Sequence, residues 1–255
     1  MRKAILSFLV ALCLLRCGIA GPGKEYWVDR AQPLDLFEGR DVIALAAAGG
    51  KLYVSTGESI FIVALGKYTQ TAVTQRINKQ TEDRVTEILV DAGRKELWIV
   101  LNDNTHLASC YDYDLAAKSC LSSFLDERMA LYEKLQRNGP NSSINALAFD
   151  AHQAIVGYFK GGIYLYSIDE GKYRLVYQPT SIDKWAVSCA LTKDAAIVST
   201  RGDGLIVVNR KTAVAARFLD KDGNYGRSLT VHDQDLYIGA KGLYRARIAD
   251  FVTLP

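Results

Sequence analysis

The sequence has few of the residues from which metal sites and nucleophilic sites are built. Its 255 residues include three histidines, His106, His152 and His232, and no two of them stand at the spacing of a zinc site. The C-x-x-C spacing typical of metal sites is missing among its five cysteines. No serine, cysteine or paired carboxylates form a recognisable nucleophile motif. We therefore expect no metal site and no cofactor, and the sequence favours a non-catalytic role.

The chain also has no excess of positive or negative charge once the N-terminus is set aside. Residues 1–20 contain Arg2, Lys3 and Arg16 and no acidic residue, so their removal takes the net charge from +3 to zero. A neutral chain lacks the electrostatic surface by which proteins bind nucleic-acid phosphates, so no nucleic-acid partner is expected. No second long apolar run follows residue 20, and we expect no transmembrane segment in the mature chain.

The N-terminus has the pattern of a secretory signal peptide. Two basic residues precede an apolar run over residues 4–15, and small residues follow up to Ala20. A run of about a dozen residues is short for a membrane span. Cleavage near Ala20 would release residues 21–255 to the periplasm or the cell exterior. The alternatives are an uncleaved anchor and lipid attachment at Cys17, but Arg16 stands where a lipoprotein signal needs a small residue.

Removal of the signal peptide leaves three cysteines in the mature chain. Cys110 and Cys120 lie on the two arms of a hairpin whose predicted turn is near Asp114, so they stand roughly opposite each other and are predicted to form a disulfide. Such a bond persists in an oxidising compartment. Cys189 lies in a predicted inner strand, and we expect it to be a buried, inert thiol.

A β-hairpin pattern recurs five times along the mature chain. Each copy has an apolar run rich in β-branched and aromatic residues, a turn rich in Gly, Asp or Asn, and a second apolar run. The copies begin at positions 52, 97, 154, 196 and 236, at intervals of 45, 57, 42 and 40 residues. A short apolar stretch precedes each hairpin, and a more polar strand follows most of them. Four-stranded units of this length are typical of propeller blades.

These repeats predict an all-β fold, a single five-bladed β-propeller, with six blades as the alternative. The predicted blades span approximately residues 40–80, 84–124, 143–180, 185–220 and 227–255. Residues 25–37 have a strand-like composition and would complete the last blade, which closes the ring. Apolar residues at helical spacing over residues 125–137 predict one short helix inserted between the second and third blades.

Two of the repeats resemble those of a known family. Leu97-Trp98-Ile99 and the stretch LYIGAKGLY at residues 236–244 look like the W-I-G-T…G-G-L-Y repeats of bacterial two-component-regulator sensor propellers. The resemblance implies the propeller architecture and does not extend to an activity.

Basic residues are expected on one face of this propeller. In a propeller, the loops that lead into the inner strands lie on the same face as the turns between the second and third strands. Four cations come directly before inner strands of four different blades: Arg40, Arg84, Lys184 and Arg227. Three more fall in the same loops and turns: Lys160, Arg201 and Lys241. A mouth of one sign focuses the field on an anion, so we predict binding of an anionic small molecule, a glycan or a protein's acidic patch. Four acids of the same loops and turns stand against these cations: Asp41, Glu58, Asp103 and Asp203. The alternative is therefore that these are ordinary solvated loop charges, partly paired with the nearby acids.

One tripeptide on the same predicted face has a known adhesive role. Arg201-Gly202-Asp203 is the sequence that integrins bind, and it falls on a predicted hairpin tip, where it would be exposed. Asp203 and Gly204 also suit a tight hairpin turn, which needs no adhesive function.

Taken together, these features favour an exported, non-catalytic propeller that acts as a ligand-binding, protein-binding or scaffold module. The alternative is a secreted or periplasmic hydrolase or lyase, active on a carbohydrate or lactone, with its site in the axial funnel. An enzyme of that kind needs acidic residues that converge in the funnel, or a metal held there.

Overall fold

Strands from consecutive stretches of the chain form five separate sheets. The computed structural model describes residues 25–27, 31–34, 36–57, 59–73, 84–102, 104–121, 123–140, 143–181, 184–219 and 226–252. The predicted signal peptide, residues 1–20 with Cys17, lies outside these ranges. Each sheet is one blade, so the chain is a five-bladed β-propeller, and the architecture predicted from the repeats is confirmed.

The strands follow the order predicted from the hairpin repeats. Two short strands come first: β1 (Glu25–Trp27) and β2 (Gln32–Leu34). The first blade contains β3 (Ala44–Ala48), β4 (Lys51–Ser55), β5 (Ile60–Ala64) and β6 (Thr69–Val73). The second contains β7 (Val85–Asp91), β8 (Glu96–Leu101) and β9 (Asn104–Tyr111).

The remaining blades follow a helix, α1 (Ser123–Asn138). The third blade contains β10 (Ile144–Phe149), β11 (Gln153–Tyr158), β12 (Ile163–Ser167) and β13 (Lys172–Tyr177). The fourth contains β14 (Ala186–Leu191), β15 (Ala195–Thr200), β16 (Leu205–Asn209) and β17 (Ala215–Leu219). The fifth contains β18 (Ser228–His232), β19 (Asp235–Ala240) and β20 (Gly242–Arg247), and a short helix α2 (Ala249–Val252) follows it.

The core lies between the faces of neighbouring blades. All six residues of β8 and all six of β15 are buried, because the middle strands of a blade are covered on both faces. Small residues stand where neighbouring blades approach most closely. A Cβ atom on Gly157 would lie 2.2 Å from the Cβ of Ala186, so the third and fourth blades fit together only with glycine at that position.

The N-terminal segment closes the ring. β2 pairs antiparallel with β20, with Gln32 opposite Arg245 and Leu34 opposite Leu243, so it supplies the outer strand of the fifth blade. β1, which the sequence analysis placed in the same blade, instead pairs in parallel with β17 and extends the fourth blade. The outer edge of β17 offers unpaired backbone groups to which a short strand adds readily.

Helix α1 confirms the predicted insertion and separates the second and third blades. Inner strands pack directly on their neighbours between β3 and β7, β10 and β14, β14 and β18, and β18 and β3. Between β7 and β10 stands α1 instead. Its Leu125 is buried against the second blade, and its Leu135 is buried against the third. The helix therefore bridges these two blades.

Two tyrosine hydroxyls satisfy the C-terminal end of α1. The carbonyl oxygen of Leu135 is one of those that a helix end leaves without an intrahelical partner. It accepts hydrogen bonds from Tyr158 Oη at 3.2 Å and from Tyr173 Oη at 3.1 Å. Gly139 permits this contact, because a Cβ atom there would lie 1.9 Å from Tyr158 Oη.

A disulfide joins the end of β9 to the segment that leads into α1. It links Cys110 to Cys120, the pair predicted from the sequence, with their Cα atoms 6.0 Å apart. Asp112 shapes the intervening turn, because its Oδ1 accepts hydrogen bonds from the backbone amides of Asp114 at 2.8 Å and Ala116 at 2.9 Å. Leu125 of α1 packs against Cys110, so the disulfide fixes the start of the helix on the second blade.

We expect replacement of both Cys110 and Cys120 with alanine to lower the free energy of unfolding by about 3 kcal/mol. The disulfide closes a loop of about ten residues, which restricts the unfolded chain by roughly that amount. The melting temperature should fall by about 6–12 °C for a chain of this size. Dithiothreitol should reproduce this loss in the wild type and in a Cys189→Ala control, but not in the double variant. Equal stability of all three proteins in reductant and oxidant would contradict the prediction.

Candidate ligand-binding face

The loops before the inner strands and the turns between second and third strands lie on one face, which we call the mouth face. Backbone hydrogen bonds hold these loops and turns together across blade boundaries. Val42 N, before β3, donates to Ala240 O of the fifth blade at 2.8 Å. Val85 N, at the start of β7, donates to Gly57 O of the first blade at 2.8 Å. At these two boundaries the loops and turns of the mouth face are therefore joined through their backbones.

The four cations predicted for the mouth lie in these loops, and two of them form ion pairs. Arg227 Nη1 lies 3.2 Å from Asp41 Oδ2, and both side chains are about half exposed. Lys184 Nζ lies 3.2 Å from Asp203 Oδ1, and that carboxylate is fully buried. Their positive charges are thus partly neutralised by acids of the same face.

Arg40 and Arg84 are exposed and make no ion pair with another residue that the structure describes. The backbone at Arg84 is nevertheless fixed, since its amide donates to Asn102 Oδ1 at 3.0 Å and its carbonyl accepts from Asn102 N at 2.9 Å. These two arginines supply positive charge at the mouth, and their role in binding a ligand stays a prediction.

The buried carboxylate of Asp203 organises one sector of the mouth face. Its Oδ2 accepts hydrogen bonds from Tyr177 Oη at 3.1 Å and from the Thr180 amide at 2.9 Å. Its Oδ1 accepts from Thr180 Oγ1 at 2.8 Å and lies 3.3 Å from Arg217 Nη2. Together with Lys184, these groups tie the loop after β13 to the turn between β15 and β16.

The protonation state of the Asp203 carboxylate follows from its hydrogen-bond partners. Burial alone would raise the pKa of Asp203, but the hydrogen bonds from Thr180, Lys184 and Tyr177 outweigh it and hold the pKa below the ordinary value of 3.8. Asp203 is therefore charged at neutral pH. Its side chain is also inaccessible, so the expectation that Arg201-Gly202-Asp203 is exposed as an adhesive tripeptide is wrong: the aspartate points into the protein and neutralises its own cations.

An aromatic and basic cluster lies beside this network, between the third and fourth blades. The rings of Phe159 and Trp185 have centroids 4.7 Å apart and are tilted by 59°. Lys160 Nζ lies 5.3 Å from the centroid of the Phe159 ring, and Arg201 Cζ lies 5.0 Å from that of Trp185. A cavity of about 270 Å³ opens at this point, and its lining residues are Lys160, Gly161, Gln178, Pro179, Ser181 and Trp185. We call it the Lys160 pocket.

Sequence reasoning identified the cations of this cluster but missed its aromatic half. Phe159 and Trp185 belong to different blades, and nothing in the repeat spacing shows that their rings meet. The available signal was local: Phe159 directly precedes Lys160, and Trp185 directly follows Lys184, both at mouth-face positions.

The propeller axis is a channel of about 750 Å³ lined by the inner strands of all five blades and by α1. Among the described lining residues, Glu87 of β7 is the one carboxylate. Its Oε1 lies 2.5 Å from Arg128 Nη2 of α1, and Arg128 also lies over the Phe149 ring of β10 at 5.9 Å. This ion pair belongs to the contact through which α1 joins the two blades.

Cys189 lines the same channel from β14 and is partly exposed along its wall, so it is less buried than expected from the sequence. Burial of its sulfur raises the pKa of the thiol to about 12. The thiolate, which is the reactive form, is thus rare at neutral pH.

The described titratable residues offer one cluster with metal-ligating atoms close together, Glu96 with Cys110 and Cys120. The two sulfurs are joined in the disulfide and supply no thiolate. His152 lies 3.1 Å from Asp169, and in a different blade His232, the last residue of β18, lies 3.5 Å from Asp233. Neither helix of the described chain is long and apolar enough to cross a membrane.

No protein-family model and no curated protein matches this chain. A chain of the Mitotic Checkpoint Complex matches with a TM-score of 0.55 at 11% identity, over 90% of this chain and 96% of that one. At this identity the likeness concerns the fold alone. By its five sheets the protein is a five-bladed β-propeller.

Two other solved structures that match this chain are those of bacterial proteins of different kinds. The extracellular domain of the one-component system BT4673 from B. thetaiotaomicron is 20% identical over 80% of this chain, with a TM-score of 0.38. The chain spans 27% of the length of that domain. Virginiamycin B lyase from Staphylococcus aureus is 12% identical over 83% of this chain and 67% of its own, with a TM-score of 0.36. Neither likeness is strong enough to transfer a function.

Proposed function

We propose that this protein is an exported, non-catalytic binding module that captures an anionic ligand on the mouth face of its propeller. The observation that carries the proposal is the concentration of exposed cations on this face. Arg40, Arg84, Lys160, Arg201 and Lys241 are all exposed there, and none makes an ion pair with another described residue. Unpaired charges of one sign around a mouth attract and orient an anion.

Export is supported by the signal-peptide pattern of residues 1–20 and by the disulfide between Cys110 and Cys120. Disulfides form and persist in oxidising compartments such as the periplasm and the cell exterior. A ligand of this protein is therefore to be sought outside the cytoplasm.

Binding suits the geometry better than the alternative of a hydrolase or lyase. Paired-carboxylate catalysis needs two acids that converge on the substrate. In the described lining of the axial channel, Glu87 is the one acid, and Arg128 neutralises it. The mouth face, in contrast, offers cations and hydrogen-bond donors that suit recognition of an anion.

The test is removal of the two mouth arginines, Arg84 and Arg227, in one Arg84→Ala/Arg227→Ala variant. An array of acidic and neutral glycans, together with polyglutamate, is screened with the mature wild-type protein. Hits are then measured by calorimetry at low and high NaCl. We expect binding of acidic probes that weakens with salt, and a loss of about tenfold in affinity in the double variant, equivalent to about 1.4 kcal/mol.

The control is an Arg94→Ala/Arg247→Ala variant, which removes two arginines from the opposite face. Arg94 pairs with Asp91 much as Arg227 pairs with Asp41, and Arg247 is exposed like Arg84. This control should bind as the wild type does, although it has the same net charge as the mouth variant. Equal affinity of all three proteins, or an array without an acidic hit, would refute the proposal.

A further inference from the structure

The Lys160 pocket has walls that are set before any ligand arrives. One wall is the loop that contains Pro179 and Ser181, and the other is the start of β14 at Trp185. Thr180, between Pro179 and Ser181, donates two hydrogen bonds to the buried Asp203, at 2.9 and 2.8 Å. A wall held in this way loses little conformational entropy when a ligand binds, and this favours affinity.

The turn that carries Lys160 contains one of eight described non-glycine residues with a positive φ. Lys160 has a φ of 53°, in the left-handed region that residues other than glycine rarely adopt, and two glycines follow it directly. Gly161 N donates to Tyr158 O at 3.1 Å, which closes the turn. Glycine would fit the Lys160 position with less strain.

The chemistry of the pocket selects a ligand class. Trp185 and Pro179 offer apolar surface, and aromatic rings of this kind stack on the C–H face of a sugar. Lys160 offers positive charge to an acidic substituent, and Arg201, which lies over the Trp185 ring and is not part of the lining, adds charge nearby. Gln178 offers an amide for neutral hydroxyl groups. The cavity of about 270 Å³ is at the small end for ligand sites, which suits a single ring.

We propose that the Lys160 pocket binds one sugar ring that carries a carboxylate or sulfate group. This inference rests on the proposed function, anion capture on the mouth face, and places the ligand between the third and fourth blades. Arg84 and Arg227 lie outside the pocket and contribute only to long-range attraction.

Calorimetry on the mature wild-type protein tests the ligand class with four probes. They are galacturonic acid, a sulfated galactose, neutral galactose and 2-naphthoate. The two acidic sugars should bind, with neutral galactose at least tenfold weaker. Binding of naphthoate alone would show an aromatic acid site and overturn the sugar assignment. Equal binding of neutral and acidic sugars would also overturn it.

Two single variants test the pocket. Lys160→Gly should weaken binding of the acidic sugars at least tenfold while leaving the melting temperature unchanged or higher, because it removes the charge and relieves the strained backbone. Trp185→Ala should cause a loss of similar size. Undiminished affinity in a folded Lys160→Gly protein refutes the pocket.

The mouth variant separates this inference from the proposed function. If Lys160→Gly and Arg84→Ala/Arg227→Ala both lose affinity, the pocket is the site and the proposed function stands. If only Lys160→Gly loses affinity, the pocket binds the ligand without the mouth arginines, and the proposed function is wrong. If only the mouth variant loses affinity, the proposed function stands and this inference is wrong. If neither variant changes affinity, both are wrong.

Discussion

Replacement of Asp203 with asparagine should lower the free energy of unfolding by about 3–5 kcal/mol. Removal of one partner of a buried ion pair leaves the other charges without compensation, and the cost is typically of this size. In this protein Lys184 and Arg217 would lose their common carboxylate, which is fully buried between them. Chemical denaturation monitored by tryptophan fluorescence would measure the change.

The matched control is Asp41→Asn, which breaks the pair between Asp41 and Arg227. Both of these side chains are about half exposed, so their interaction contributes only about 0–1 kcal/mol. If Asp203→Asn proves no more damaging than Asp41→Asn, the buried network does not stabilise the fold in the way we describe.

The stabilisation by Asp203 should depend on pH in a defined direction. Its pKa in the folded protein lies below 3.8, so folding favours the charged form. The contribution is complete above the unfolded value and is lost as the pH falls through the folded value. The difference in stability between wild type and Asp203→Asn should therefore be constant near neutral pH and shrink below about pH 4.

Truncation of Phe37 to alanine should cost about 3–5 kcal/mol, the usual range for a buried phenylalanine. Phe37 is 6% exposed and lies between the strand that closes the ring and the first blade. Its ring meets that of Phe61 edge to face, with centroids 5.0 Å apart. It therefore helps to hold β2 against β20 at the point where the circle of blades is completed.

Two measurements distinguish this effect from a general loss of apolar surface. Leu121→Ala, at a side chain that is 75% exposed, should leave stability within about 0.5 kcal/mol of the wild type. In Phe37→Ala, trypsin should cleave after Arg40 faster than in either of the other proteins, because the closing segment opens more often. Unchanged cleavage at Arg40 would mean that Phe37 does not hold the closure.

The cations in this sector of the mouth face fall into two groups, those paired with the buried Asp203 and those beside the aromatic pocket. Lys184 and Arg217 are committed to structure through Asp203, whereas Lys160 and Arg201 remain available to a ligand. The four cations predicted at the mouth are thus not equivalent, since Lys184 belongs to the structural group. A ligand screen that treats them as one patch would mix effects on stability with effects on affinity.

The sequence alone determined the repeat and the local structure that follows from it. Apolar runs separated by Gly, Asp or Asn turns specify hairpins, and their recurrence at about 40 residues specifies blades. Small residues such as Ala146 and Ala186 mark inner strands, and helical spacing after residue 125 marks α1. The pairing of Cys110 with Cys120 also follows from the short turn between them. All of these are properties of neighbours along the chain.

Only the tertiary structure decided which distant groups meet. It placed β1 beside β17, set α1 between the second and third blades, and buried Asp203 against Arg217. It also brought Phe159 to Trp185. These contacts join residues from different strands, loops or blades, and a periodic pattern carries no information about such pairs. They depend on the angle and separation at which blades pack around the axis, which are fixed by the whole ring at once.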